Sequence, residues 1–257
     1  PIGTSEHPYT GTFNGGGHTI RVWLDGWGQA LFGYVGADAK LTDIAVKKRQ
    51  SENYSLNASA PLARINDGTI THCRYSGGIT AKGSLGGLVY TNNGTIEACY
   101  VYAGELGGSR IEMYYGGWAG GIAYENTGTI ANSYFYGDMV QAQSGGTVRD
   151  IIGWGAIAHE KSGGKIINCY YGADRDDGYG GKTEDQFRGG EVTYLLNGGT
   201  ARDDWRQNCY AGDSSDATPV LDRSHAQVRK SGSSCIPTST ASAAVTPHPA
   251  AIRGTAT

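Results

Sequence analysis

GTIEACYVY (94–102) is one copy of a phrase that occurs five times along this chain. Each copy has an Ile or Leu, two further residues, a Cys-like residue and usually an aromatic. The other copies are AKLTDIAV (39–46), GTITHCRY (68–75), GTIANSYFY (128–136) and GKIINCYY (164–171). An internal repeat on this scale indicates a stacked superhelix, in which each copy is one turn that buries its apolar face against its neighbours.

The copies are unevenly spaced. Their Ile or Leu anchors are separated by 29, 26, 34 and 36 residues, and an apolar-Gly phrase upstream of each anchor shifts with nearly the same offsets. The two halves of a repeat therefore keep a nearly constant spacing, as expected for a coil with a fixed core and a variable loop. We expect the loops within 102–118 and 138–152 to be places where such a scaffold carries function.

The residue types favour strands, because β-branched and aromatic residues are frequent, Gly punctuates every few positions and no helical periodicity is sustained. The anchor and the Cys-like residue are three positions apart, so a straight strand would place them on opposite faces. A bend just before the Cys-like residue turns both inward. His72, Asn132 and Asn168 occupy that position and tolerate the left-handed conformation a bend needs; Asp43 is plausible there and Ala98 fits poorly. Short strands joined by bends predict an all-β fold, a right-handed parallel β-helix.

Three segments are expected: a parallel β-helix over 1–178, a C-terminal cap over 179–224, and a flexible tail rich in Ser, Thr, Ala and Pro over 225–257. A cap is required because the open end of a β-helix exposes unpaired backbone. Within it, TEDQFRGGEVTYLL (183–196) predicts a short helix with an N-cap at Thr183 and an interruption at Gly189 and Gly190.

A family resemblance is carried by four fragments: PYTGTFNGGGHTI (8–20), LFGYVG (31–36), GGLVYTNNGTIEACY (86–100) and GGIAYENTGTIANSY (120–134). As a set they resemble the GLUG-repeat modules of large bacterial surface and secreted proteins, and the resemblance covers most of 1–178. Such modules occur in adhesin-like proteins and beside the protease region of IgA-cleaving metallopeptidases. The resemblance implies an extracellular, β-helical, non-catalytic module, at the bacterial cell surface or secreted, and supplies no ligand.

Composition excludes several classes of partner. The formal net charge is −3, from 24 acidic and 21 basic residues, which does not favour nucleic acid. No apolar run approaches the ~20 residues of a transmembrane helix, so we expect no membrane insertion. The chain lacks an initiator Met and a signal peptide, and we expect it to be part of a larger secreted chain. No HExxH, GxSxG, Walker or dinucleotide-binding motif is present, and we expect no cofactor.

The cysteines fall into two groups. Cys73, Cys99 and Cys169 share one repeat position, where the fourth copy has Ser133, and we expect an inward ladder of small side chains ~4.8 Å apart. Cys209 and Cys235 lie outside the repeats, and whether they form a disulfide is left open by the sequence. No CxxC pair accompanies any of them, so a zinc site is not expected.

A candidate binding surface follows from the same register. With the Cys-like residue inward, the next residue faces outward, which gives a column on successive coils: Ala45, Arg74, Tyr100, Tyr134 and Tyr170. Stacked tyrosines offer aromatic area suited to sugar rings or to a partner protein. The alternative is a ladder that loops cover or that only stacks on itself.

An enzymatic alternative rests on Glu125 and Glu160, which occupy equivalent positions on adjacent repeats. Two carboxylates at that spacing, about 5 Å, would match a retaining glycosidase pair, and His159 neighbours one of them. The competing interpretation is two solvated loop glutamates. Asp174, Asp176 and Asp177 resemble a calcium loop only weakly, because the Gly and terminal Glu of an EF-hand are missing.

These observations predict a non-catalytic binding or spacer module of a bacterial surface or secreted protein, adhering to glycans or to host or other extracellular proteins. The alternatives are a β-helical polysaccharide lyase or glycosidase and a purely mechanical stalk. The ligand itself is not encoded in any recognisable motif.

Overall fold

The computed structural model describes residues 1–48, 56–103, 110–113, 117–142, 148–150, 155–160, 162–172, 180–199, 203–209, 215–231 and 234–237. Its repeats form a parallel β-helix, because the equivalent strands of successive copies pair in parallel rather than with their sequence neighbours. The predicted all-β solenoid is confirmed.

Three parallel sheets run along the β-helix, and we number them 1 to 3 in the order in which the chain passes through them within one coil. Sheet 2 contains β1 (Thr12–Asn14), β4 (Lys40–Thr42), β7 (Thr69–Thr71), β12 (Thr95–Glu97), β17 (Thr129–Ala131) and β21 (Lys165–Ile167). Sheet 3 contains β2 (Thr19–Val22), β5 (Ala45–Lys48), β8 (Arg74–Ser76), β13 (Tyr100–Ala103), β18 (Tyr134–Ala142), β22 (Tyr170–Gly172) and β23 (Gly181–Lys182). Sheet 1 contains β3 (Phe32–Val35), β6 (Ala63–Asn66), β11 (Val89–Asn92), β16 (Ala123–Asn126) and β20 (Ala158–Glu160).

Shorter strands complete the coils. The second half of β18 pairs with β14 (Arg110–Met113), which in turn pairs with β9 (Ile79–Ala81). The strand β19 (Val148–Asp150) joins β18 in antiparallel orientation. A two-stranded sheet is formed by β10 (Leu85–Gly86) and β15 (Ala119–Gly120).

The predicted anchor column forms the centre of the core. In register across sheet 2 lie Phe13, Leu41, Ile70, Ile96, Ile130 and Ile166. The four inner members are fully buried, and the two end members are half-buried because no further described coil covers them. Burial of an Ile side chain contributes about 1.5–3 kcal/mol to stability. Because each anchor lies beside its equivalents on the adjacent coils, each coil is stabilised chiefly by its neighbours.

One residue in each coil adopts the left-handed conformation, at the predicted bend position. The φ angles are 53° at Asp43, 53° at His72, 50° at Ala98, 49° at Asn132 and 52° at Asn168. Ala98 adopts the bend although alanine pays a cost of about 1–2 kcal/mol there. Its methyl group is buried in an apolar cluster beneath the cap, and this packing offsets the cost.

Two inward polar ladders run beside the core. The backbone N–H of Cys73 donates to Cys99 Sγ (3.3 Å), and that of Cys99 donates to Ser133 Oγ (3.0 Å). The predicted inward position of the three repeat cysteines is confirmed, since all are buried. A second ladder is made of asparagines: Asn66 Nδ2 donates to Asn92 Oδ1, and Asn92 Nδ2 to Asn126 Oδ1, each at 2.8 Å.

The cap begins with two short helices, α1 (Glu184–Arg188) and α2 (Glu191–Leu196). Thr183 caps α1 as predicted, in a reciprocal pair with Gln186, and Gly189 and Gly190 separate the helices. The expectation that a flexible tail starts at residue 225 is wrong, because β24 (Val228–Ser231) and β25 (Ser234–Pro237) form an antiparallel hairpin. No helix within the described ranges has the length and apolarity needed to cross a membrane.

The anchor column gives the first prediction. Replacing Ile130 with Ala leaves a cavity between two packed coils and should lower the free energy of unfolding by about 2–5 kcal/mol in denaturant melts. Ile167→Ala is the matched control, because that side chain is 51% exposed and its loss should cost less than about 0.5 kcal/mol. Equal effects of the two changes would contradict the register.

The cysteine ladder gives the second. The Cys169 thiol is buried, and burial raises its pKa to about 12, so it stays protonated at pH 8. Iodoacetamide should label Cys73, Cys99 and Cys169 at least about 100-fold more slowly in the folded protein than in denaturant. Half-buried Cys235 should react faster than these three, which can be read by mass spectrometry. Equally rapid labelling of the ladder would contradict its inward position.

Candidate functional site

The outer column predicted from the repeats is present in register on sheet 3. Ala45, Arg74, Tyr100, Tyr134 and Tyr170 are neighbours on successive strands. The rings of Tyr100 and Tyr134 stack with centroids 5.1 Å apart and an angle of 6° between their planes. Parallel strands in register therefore produce a stack of tyrosine rings.

The cap covers the middle of this column. Tyr134 is fully buried, with its ring against Trp205 (5.2 Å) and Phe187 (5.7 Å), and its hydroxyl donates to the Pro219 carbonyl (2.6 Å). Burial accordingly raises the pKa of Tyr134 well above its usual value. The expectation of an exposed column is wrong at Tyr134, because an apolar cap packs on it. Tyr170 is half-buried, and its hydroxyl donates to Asn168 Oδ1 (2.6 Å).

The cap is fastened to the row of bend residues. Trp205 Nε1 donates to the carbonyl of Asn132 (3.1 Å), and Asn168 Nδ2 donates to the Leu195 carbonyl at the end of α2 (3.0 Å). His72 Nε2 lies 3.3 Å from Asp204 Oδ1. The left-handed backbone turns these polar groups outward, so the residues that shape the coil also position the cap.

A cleft of about 310 Å³ opens where the cap ends. One wall is sheet 3, and the other is the cap segment 215–220. Its lining includes Ser76, Tyr100, Tyr102, Asp216, Thr218 and Val220. Sequence reasoning identified Tyr100. It missed Asp216, Thr218 and Val220, because they come from a segment more than 100 positions away that carries no repeat, and it did not extend the outward column to Ser76 and Tyr102 two positions further along the same strands.

A second tyrosine column explains the space in the cleft. The rings of Tyr102 and Tyr136 stack at 5.6 Å with 7° between planes. The register partner of Tyr102 on the preceding coil is Ser76, whose side chain is too small to continue the stack. The cleft lies at this point, where the column changes from aromatic to small.

The cap wall supplies a fixed carboxylate. Asp216 Oδ2 accepts hydrogen bonds from the backbone N–H of Asn208 (2.7 Å) and from His225 Nδ1 (2.6 Å). Charge-assisted hydrogen bonds of this kind are short and directional, so they hold the carboxylate in one orientation. With the hydroxyls of Ser76 and Thr218, the cleft combines aromatic area with polar donors and acceptors.

The alternative pair of glutamates lies elsewhere. Glu125 and Glu160 are direct neighbours on β16 and β20 of sheet 1, and Glu125 Oε2 accepts a hydrogen bond from Thr91 Oγ1 (2.9 Å). The side chain of Glu160 lies outside the described part of the structure. His159 stacks on Trp118 (5.0 Å) and Tyr124 (5.3 Å). The structure does not bring this pair to the cleft.

The described residues form no candidate metal site. Within the described ranges, no three His, Cys, Asp or Glu side chains come together as a metal site. Asp174, Asp176 and Asp177, considered above as a weak calcium loop, lie outside the described residues.

A second cleft, of about 420 Å³, lies at the N-terminal end of the β-helix. Its lining includes Ile2, Ile20, Arg21, Trp23 and Leu31. Trp23 is 57% exposed and Ile2 is 41% exposed, so two large apolar side chains of this cleft are open to solvent. Sequence reasoning missed this cleft because residues 23–30 belong to no repeat phrase.

No family model, curated protein or solved structure matches the chain. The interpretation of the site therefore depends on its geometry and chemistry.

The covered column gives the third prediction. Tyr134→Ser removes a ring from the interface between sheet 3 and the cap and should lower the free energy of unfolding by about 3–5 kcal/mol. Tyr102→Ser should cost clearly less, because Tyr102 is only half-buried. Thermal and denaturant melts measure both changes. A melt of Tyr134→Ser that matches the unaltered protein would show that the cap does not pack on the column.

Proposed function

We propose that this protein is a non-catalytic glycan-binding module whose sugar site is the cleft between Tyr102 and cap segment 215–220. The observation that carries the proposal is the combination of two tyrosines with a fixed Asp216 carboxylate in one cleft of about 310 Å³. That volume lies at the lower end of the range of small-molecule sites.

The chemistry of a sugar ring fits these walls. A pyranose has faces made of C–H groups and a rim of hydroxyls. The C–H face packs on a tyrosine ring, which provides rigid apolar area at low entropy cost. The hydroxyls donate to the Asp216 carboxylate and exchange hydrogen bonds with the hydroxyls of Ser76 and Thr218.

The proposed setting is a bacterial cell surface or the secreted fraction, as part of a larger chain. This is the setting that the expected resemblance of 1–178 to GLUG-repeat modules would imply, and the stacked coils would hold the cleft on a rigid scaffold. Adhesion to glycans is the activity that we propose for this setting; a host or other extracellular protein would have to present a comparable polar ring to use the same cleft.

The test uses a ring that fills the space between Tyr102 and the cap. Ser76→Tyr should extend the stack of Tyr102 and Tyr136 into the space for the sugar, and should reduce binding to array glycans at least about tenfold. Thr71→Tyr is the matched control, because Thr71 is a half-buried residue of the same coil on sheet 2. Its binding should stay within about twofold of the unaltered protein.

Tyr102→Ser provides an independent second variant, since it removes the ring instead of blocking the space. Both cleft variants should still unfold cooperatively. Unchanged binding by a folded Ser76→Tyr protein would refute the cleft as the sugar site, and a glycan array without any positive would refute glycan binding.

The second candidate function is a carbohydrate-active enzyme. It is favoured by one observation, the direct pairing of Glu125 with Glu160 on adjacent strands. Under this candidate, reducing ends should be released from a polysaccharide panel, and Glu125→Gln or Glu160→Gln should abolish the release. Binding without turnover supports the module, whereas silence in both assays supports a mechanical stalk.

A further inference from the structure

A row of cations continues from the cleft along the outer face of sheet 3. On successive coils, Tyr136, Tyr102, Ser76, Lys47 and Arg21 are direct register partners. We call this line of residues the axial row. It is aromatic at one end and basic at the other, and Ser76, which lines the cleft, lies where the two parts meet.

The basic part of the axial row places like charges side by side. Arg21 and Lys47 are opposite each other on neighbouring strands, about 4.8 Å apart in the backbone. Arg74 lies on the same strand as Ser76, and its guanidinium donates to the Gly17 carbonyl (3.2 Å). A negatively charged ligand along this line would lie close to both Arg21 and Lys47.

This positive charge is local, since the chain as a whole carries a formal net charge of −3. Asp222 is close enough to Arg74 to interact with it electrostatically, and Asp216 faces the cleft itself. The negative wall therefore lies at the aromatic end of the row. An acidic group of a ligand would be repelled by Asp216 and attracted by Arg21, which lies two coils from Ser76.

The axial row also connects the two clefts. Ser76 lines the first cleft and Arg21 lines the second, where Trp23 is 57% exposed. Two strand spacings, about 10 Å, separate Ser76 from Arg21. A short oligosaccharide spans such a distance, and each of its units advances by about as much as one coil.

We propose that the ligand is an acidic glycan, with carboxylate or sulfate groups, that lies parallel to the β-helix axis along the axial row. This inference depends on the proposed sugar site. One ring packs at Tyr102 with its hydroxyls toward Asp216, and the acidic groups of the following units pair with Lys47 and Arg21. Nucleic acid is less suited, because the Asp216 carboxylate repels phosphate.

The experiment compares matched ligands by titration calorimetry. The probes are a galacturonate hexamer against its methyl ester, and a sulfated hexasaccharide against its desulfated form. At low salt, the acidic member of at least one pair should bind at least about tenfold more tightly. The preference should shrink as ionic strength rises to 0.5 M, because salt screens exposed charges.

The matched variants alter charge on two faces. Arg21→Gln with Lys47→Gln should remove the preference for the acidic member while leaving binding of the neutral member within about twofold. Lys40→Gln with Lys165→Gln is the control, because these exposed lysines lie on sheet 2. The control protein should keep the preference in full.

Each contrary outcome has a separate meaning. Equal binding within both pairs would overturn the acidic-glycan inference and leave the proposed sugar site standing. Loss of binding to every probe and to the glycan array would overturn both. A single-stranded DNA oligonucleotide that competes as well as the acidic hexamer would show a general polyanion surface and overturn the assignment to sugars.

Discussion

The left-handed residue in each coil is the constraint on which the rest of the structure depends. It bends the chain between the Ile or Leu anchor and the Cys-like position. As a result, Ile96 and Cys99 both point into the core and are buried, although three positions separate them. The next residue must then face outward, and parallel register places it beside its equivalents on neighbouring coils. Both the core and the tyrosine columns of sheet 3 follow from this local backbone choice, which costs about 1–2 kcal/mol at Ala98.

The same bends connect the scaffold with the cap. The carbonyl of Asn132 and the amide of Asn168 are the groups that bind Trp205 and the end of α2. The cap packs on Tyr134, and beside this contact lies a cleft with one wall from the repeats and one from the non-repetitive segment. The proposed sugar site exists only where these two parts of the chain meet, and its polar wall depends on contacts inside the cap such as that of Asp216 with His225.

The repeat made most of the β-helix predictable, since Ile70, Ile96 and Ile130 reveal the register and His72 and Asn132 reveal the bend. The asparagine ladder had a signal that was not used: Asn followed two residues later by Gly at 66–68, 92–94 and 126–128. Other features were beyond sequence reasoning. The conformational propensity of alanine disfavours the left-handed region, and Ala98 adopts it because its methyl group packs in the cluster beneath the cap. The burial of Tyr134, the hairpin at β24 and β25, and the role of Asp216 depend on contacts between distant segments that follow no period.

The most direct measurement is a crystal structure of the protein with an oligosaccharide selected from the glycan array. The account predicts one sugar ring stacked at Tyr102, hydrogen bonds from its hydroxyls to the Asp216 carboxylate, and a chain that continues over Lys47 toward Arg21. A sugar seated instead on sheet 1 beside Glu125, with the cleft between sheet 3 and the cap left to solvent, would contradict it.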